Sequence, residues 1–89
     1  MKTIIVIARN LQEFKDFVIK TGRLRKEKFK LNLVNGTVEF KDLKFVYTNR
    51  PEKLYGIERG TEYFFTGNQD QDTWHNNPVL ERFKKIDHV

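Results

Sequence analysis

The run Ile4-Ile5-Val6-Ile7-Ala8 constrains the fold more than any other stretch of the chain. It is continuous, rich in β-branched residues and free of alternation, so a strand over Thr3–Ala8 has to be covered on both faces. Such a strand belongs in the middle of a sheet. Asn10 follows as an N-cap with Glu13 three positions on, the spacing of a capping box. Leu11, Phe14, Phe17 and Val18 then recur at helical spacing, and Gly22 is placed to end the helix in a left-handed conformation. Strand, two-residue connection and helix make a βα unit.

The basic stretch Arg23–Lys30 leads into a strand over Lys30–Val34. Asn35-Gly36 is a strong hairpin signal and predicts pairing of that strand with Thr37–Lys41. A turn at Asp42-Leu43 brings in Lys44–Thr48, with Phe45 and Tyr47 on one side and Val46 on the other. Asn49, Pro51 and Glu52 open a short helix that Gly56 closes. Thr61–Thr66 reads as a strand, Gly67–Asn76 as a polar loop, and Asn77-Pro78 as the cap and first position of a last helix. That helix would bury Val79, Leu80, Phe83 and Ile86. The expected order is β-α-β-β-β-(α)-β-α: one α/β domain over residues 1–89, a small Rossmann-like sheet of two or three layers with parallel pairs and a hairpin. Thr37–Lys41 and Lys44–Thr48 are the candidates for an open edge on which a second copy could pair; the sequence does not say which edge, if any, is open, and the oligomeric state is left open.

Hydrophobic content of 38% with 33% charged residues fits a globular domain and not a disordered tail. A chain of this length buries only about 60–65% of its unfolded surface, so its aromatic side chains carry most of the core. Cysteine is absent, which excludes disulfides and thiolate metal sites and points to a cytoplasmic setting. Lys2 and the apolar run after it are too short for a signal peptide and stop at Arg9-Asn10. No stretch has the length of a bilayer span, so no membrane partner is expected.

The net charge of +5 is local. Lys20, Arg23, Arg25, Lys26, Lys28 and Lys30 stand against the single acid Glu27, and the remaining 11 bases and 11 acids cancel. This segment is either an electrostatic patch for phosphates or an acidic protein, or the solvated face of a loop and edge strand. Phe29, between Lys28 and Lys30, would add stacking on an unpaired base.

Catalytic motifs are missing. The chain has no phosphate-binding glycine loop, and the connection after the first strand is Arg9-Asn10. No catalytic, metal-binding or cofactor-binding residues are assigned. Asp70, Asp72 and His75 share one loop, a weak metal constellation whose stronger use is a contact surface. Trp74, in the same loop, either anchors an interface or folds back to close the core.

The hairpin carries a resemblance. Asn35-Gly36-Thr37-Val38-Glu39-Phe40 resembles the N-G-[ST]-x-[IL]-x-[FV] hairpin of the ATPase domain in phage terminase large subunits and related helicase-like motors. Leu54–Gly60 is similar to the Leu-Arg-Gly segment that follows there, and Ile4–Asn10 to the strand after their phosphate-loop helix. The chain also resembles small phage proteins sharing a Leu-x-Gly, apolar-strand and Gly-x-x pattern. The departures are large: the phosphate loop is missing, and Gly67-Asn68 stands where two acids belong. The resemblance therefore implies a truncated motor fold without ATPase chemistry. The expected function is non-catalytic binding of a host or phage protein, in the host cytoplasm if the chain is phage-encoded. The alternative is nucleic-acid binding through Lys20–Lys30, and a metal-dependent hydrolase or nuclease ranks last.

Overall fold

The computed structural model describes residues 2–26, 28–32, 34–66 and 78–87. The apolar run forms β1 (Lys2–Ile7), and the helix that Asn10 caps is α1 (Leu11–Arg25). β2 (Lys30–Asn32), β3 (Thr37–Glu39) and β4 (Leu43–Thr48) follow, then a 3-10 turn at Pro51–Leu54 and β5 (Glu62–Phe65). A second 3-10 turn, Pro78–Arg82, leads into the two-residue strand β6 (Lys84–Lys85). These strands form one sheet in the order β2-β3-β4-β1-β5-β6. β1 is parallel to both β4 and β5, β6 is parallel to β5, and β2, β3 and β4 run antiparallel in sequence. The α/β arrangement is the one the sequence pattern predicts, with parallel pairs and an inserted hairpin.

β1 sits at the centre because both of its faces are apolar. Ile4, Val6 and Ala8 point to the side of α1, where Phe14, Val18, Val38, Phe40, Leu43 and Phe45 complete one buried cluster. Ile5 and Ile7 point the other way, onto Leu54, Tyr63, Val79 and Phe83. Each fully buried aliphatic side chain contributes on the order of 1.5–3 kcal/mol. Phe17 bridges the α1 side, with its ring against both Phe45 and Phe64.

The two faces are not covered alike. On the α1 side the helix packs over β1, β3 and β4. On the other side the two 3-10 turns cover β1 and β5, giving three layers there. Away from α1, the β2–β3–β4 part of the sheet carries Lys30, Glu39 and Lys44 opposite one another across three strands. Alternating charge in one row suits a solvated sheet face.

Four local expectations are corrected. α1 does not stop at Gly22, which is buried in the helix with Val18 and Thr21; the helix continues to Arg25, and Lys26 takes the left-handed cap and donates its N–H to the Gly22 carbonyl. The hairpin pairs Asn32 with Thr37, so the loop has four residues where two are predicted. That slip of two keeps Leu31 on the same face as the buried Val38 opposite it, because side chains repeat every two residues, although Leu31 on the edge strand is itself exposed. Residues 78–86 do not form a long helix. Val79 and Phe83 serve one cluster and Ile86 the other, a division the extended β6 allows and one helical stripe does not. Finally, β3 and β4 are interior strands, and the edges are β2 and β6.

Candidate binding surface

In open α/β sheets ligands collect where connections leave the carboxyl ends of parallel strands in opposite directions. Here that place lies beyond β1, flanked by the ends of β4 and β5. The protein's own polar groups fill it. The Asn10 side chain accepts from the Glu13 N–H at 2.9 Å, as a capping residue should. Thr66, buried just after β5, donates its hydroxyl to the Glu13 carboxylate at 2.5 Å. Thr48, buried at the end of β4, donates to the Arg50 carbonyl at 2.9 Å. Tyr47 stacks on Phe14, and its hydroxyl pKa is raised by burial and, second, by the Glu13 charge. A carboxylate in the first turn of α1 opposes a phosphate at this helix end.

The opposite end of the sheet differs. Because α1 returns antiparallel to β1, its last turn brings Arg23, Arg25 and Lys26 near the amino ends of the parallel strands. Lys20, Arg23, Arg25, Lys26, Lys28 and Lys30 are all exposed. Arg25 donates to Asp42 at 3.3 Å and lies over the Phe40 ring. Phe29 is half-buried with its ring against Phe40, so its face is engaged with the core. Basic groups in the last turn complement the helix dipole. Lys20 precedes that turn and Lys28 and Lys30 lie beyond the helix, so the dipole does not account for them.

Lys26 is the one non-glycine residue with positive φ among the described residues, at 55°. A left-handed conformation costs a side-chain-bearing residue about 1–2 kcal/mol. Glycine would sit there without strain, yet the chain carries a cation.

Two apolar side chains interrupt the basic surface. Ile19 is 41% and Leu24 76% exposed, on the outward side of α1 beside Asp16, Lys20 and Arg23. The sequence contains their signal: both fall off the Phe14–Val18 stripe that meets the sheet. Beneath the end of α1 lies a cavity of about 290 Å³, floored by Ile4, Leu43 and Ile86. Its rim holds two ion pairs, Lys2 with Glu62 at 2.9 Å and Arg25 with Asp42 at 3.3 Å. Sequence spacing does not reveal this cavity, since five separate segments build it.

Asp70, Asp72, Trp74 and His75 lie outside the described residues. Among the described residues no group of three His, Cys, Asp or Glu side chains is placed to hold a metal ion. No described helix is long and apolar enough to cross a membrane. No family model, curated protein or solved structure matches the chain.

Proposed function

We propose that this chain is a non-catalytic accessory domain of the phage type that binds an acidic protein surface through the outward face and carboxyl end of α1. The observation that carries the reading is the exposure of Ile19 and Leu24 among Lys20, Arg23 and Asp16. A phosphate backbone needs cations and gains little from apolar side chains. Protein interfaces combine a desolvated apolar centre with a polar rim. The resemblance of Asn35–Phe40 to motor hairpins fits this reading, because the chain has the hairpin without a phosphate loop.

The test is affinity capture with the wild-type protein and with an Ile19→Ser/Leu24→Ser variant. Both positions are exposed, so the variant keeps its thermal midpoint while losing the captured partner. A partner retained equally by both proteins refutes the use of this face, and repeated empty captures refute the partner. Anisotropy titrations of labelled DNA and RNA at about 50 and 200 mM salt separate the other reading. Nucleic-acid binding that survives the serine variant but is abolished by Arg23→Glu/Arg25→Glu/Lys26→Glu would replace protein by nucleic acid.

A further inference from the structure

The exposed side of α1 has a definite layout. At 3.6 residues per turn Ile19 and Leu24 lie about 140° apart around the helix axis, and Asp16, Lys20 and Arg23 fall in the arc between them. These five side chains line one shallow groove. Asp16 accepts from the Gln12 side chain one turn back at 2.9 Å, so its charge is engaged within the helix. The side chains of Lys20 and Arg23 have no ion-pair partner among the described residues. They stand three positions apart, which sets their Cβ atoms about 5–6 Å from each other. The helix therefore offers two neighbouring cations between two apolar borders.

We infer that this groove receives an amphipathic helix of the acidic partner, with carboxylates on Lys20 and Arg23 and aliphatic side chains on Ile19 and Leu24. The inference rests on the protein-binding reading and names the form its partner takes. Backbone chemistry selects a helix. The N–H and carbonyl groups within α1 bond to one another, so this face offers a partner side chains and no strand edge. An extended segment laid there would leave its own backbone groups unpaired in the contact, whereas a helix satisfies them itself. Carboxylates three or four residues apart on a helix also repeat the spacing of Lys20 and Arg23. Their charge is the complement of the two cations, which steers the encounter and fixes the register. A second copy is disfavoured, because each such face carries two cations against one acid. A polyanion would use the cations and leave Ile19 and Leu24 wet.

The probe is a fluorescent, end-blocked peptide of 15 residues, the length of α1. It is built on alanine, with glutamates along one helical stripe and leucines on the borders of that stripe. Its control carries proline in place of the central alanine, which keeps every charge and every leucine but breaks the helix. Anisotropy at low salt is read against the wild-type protein and Ile19→Ser/Leu24→Ser, with amide NMR of the wild-type protein and circular dichroism of the peptide alongside. The helical peptide is expected to bind about tenfold more tightly than its control, equivalent to 1.4 kcal/mol, and to lose about as much on the serine variant. It should gain helicity on binding and shift the amides from Asp16 to Leu24. Equal binding of the two peptides overturns the helical partner and leaves the acidic partner standing. Amide shifts that miss α1 overturn the groove. Binding of neither peptide also overturns the inference, and an empty affinity capture beside it overturns the protein-binding reading as well. A dimer in sedimentation that the serine variant dissociates replaces the partner by a second copy. Preference for a single-stranded oligonucleotide over both peptides overturns both readings in favour of nucleic acid. The peptide comparison uses one unaltered protein, so it holds even if the serine variant fails to fold.

Discussion

Replacing Thr66 by valine tests how the carboxyl end of the sheet is held. The substitution keeps the shape of the side chain and removes the hydroxyl that donates to Glu13 at 2.5 Å. Thr66 also lies 3.4 Å from the Ile7 carbonyl, a contact too long to carry much of the effect. A hydrogen bond to a charged group contributes about 1.5–3 kcal/mol. Glu13 is only half-buried, so the lower end applies, about 1.5 kcal/mol. For a domain of this size each kcal/mol moves the thermal midpoint by roughly 4–8 °C, so Thr66→Val should lose about 6–12 °C. Glu13→Ala alone mixes several effects, because it also removes an acid from the first turn of α1. A double-mutant cycle over the two sites, followed by urea denaturation, isolates the pair. A coupling of about 1 kcal/mol or more is expected. A coupling within about 0.3 kcal/mol of zero refutes the reasoning, because the cycle then finds no interaction to remove.

Gly36 has φ +64°, and its carbonyl accepts from the Tyr47 N–H, so Gly36→Ala should cost about 1–2 kcal/mol in denaturant titration. The new Cβ would meet Tyr47 at an ordinary 3.5 Å, which makes this a backbone effect, and Gly36→Asn should cost less. Lys26→Gly should raise stability by up to about 1 kcal/mol and weaken capture of the acidic partner, separating strain from binding at one position. Tyr47 and Tyr63 have hydroxyl pKa values raised chiefly by burial, so the folded state keeps their protons longer than the unfolded chain. Their stabilising contribution is present below pH 10 and is lost as pH rises through the folded values. Urea midpoints measured from about pH 8 to 11 should fall at the alkaline end. Tyr47→Phe/Tyr63→Phe should flatten that fall, and an unchanged slope would count against the assignment.

What the sequence made legible follows from how local each signal is. Ile4–Ala8 announces a central strand by composition alone, and Asn10 with Glu13 announces the start of α1. The end of α1 was not legible at Gly22, because packing of Val18, Thr21 and Gly22 keeps the helix running. Strand order was not legible either. Two parallel pairings of β1 join segments far apart in the chain, and only the register places Glu62 beside Lys2. The basic segment was visible as a count of charges, whereas the cavity beside it depends on α1, β1, β4, β5 and Ile86 meeting. Exposure of Leu24 was latent in the helical angle, and it needed the direction of the sheet to become a surface.

The remaining question is whether the basic run serves the fold or a partner, and individual residues separate the two. If it served α1, the charges would concentrate in the last turn, where the dipole acts and falls off within a turn. Arg23 and Arg25 satisfy that description, and reversing them should cost stability as well as binding. Lys20 lies earlier and Lys28 later, and both are exposed. Lys30 is unsuitable for reversal, because Glu39 stands opposite it across the β2–β3 pair. Lys20→Glu/Lys28→Glu should therefore leave the urea midpoint within about 0.5 kcal/mol of wild type, as surface substitutions do. The same variant should weaken binding of the acidic partner at least fivefold at low salt, the effect shrinking as salt screens the charges. Unchanged partner affinity with unchanged stability would make these lysines solvation, and the partner would then be held by the last turn of α1 and the exposed Ile19 and Leu24 alone.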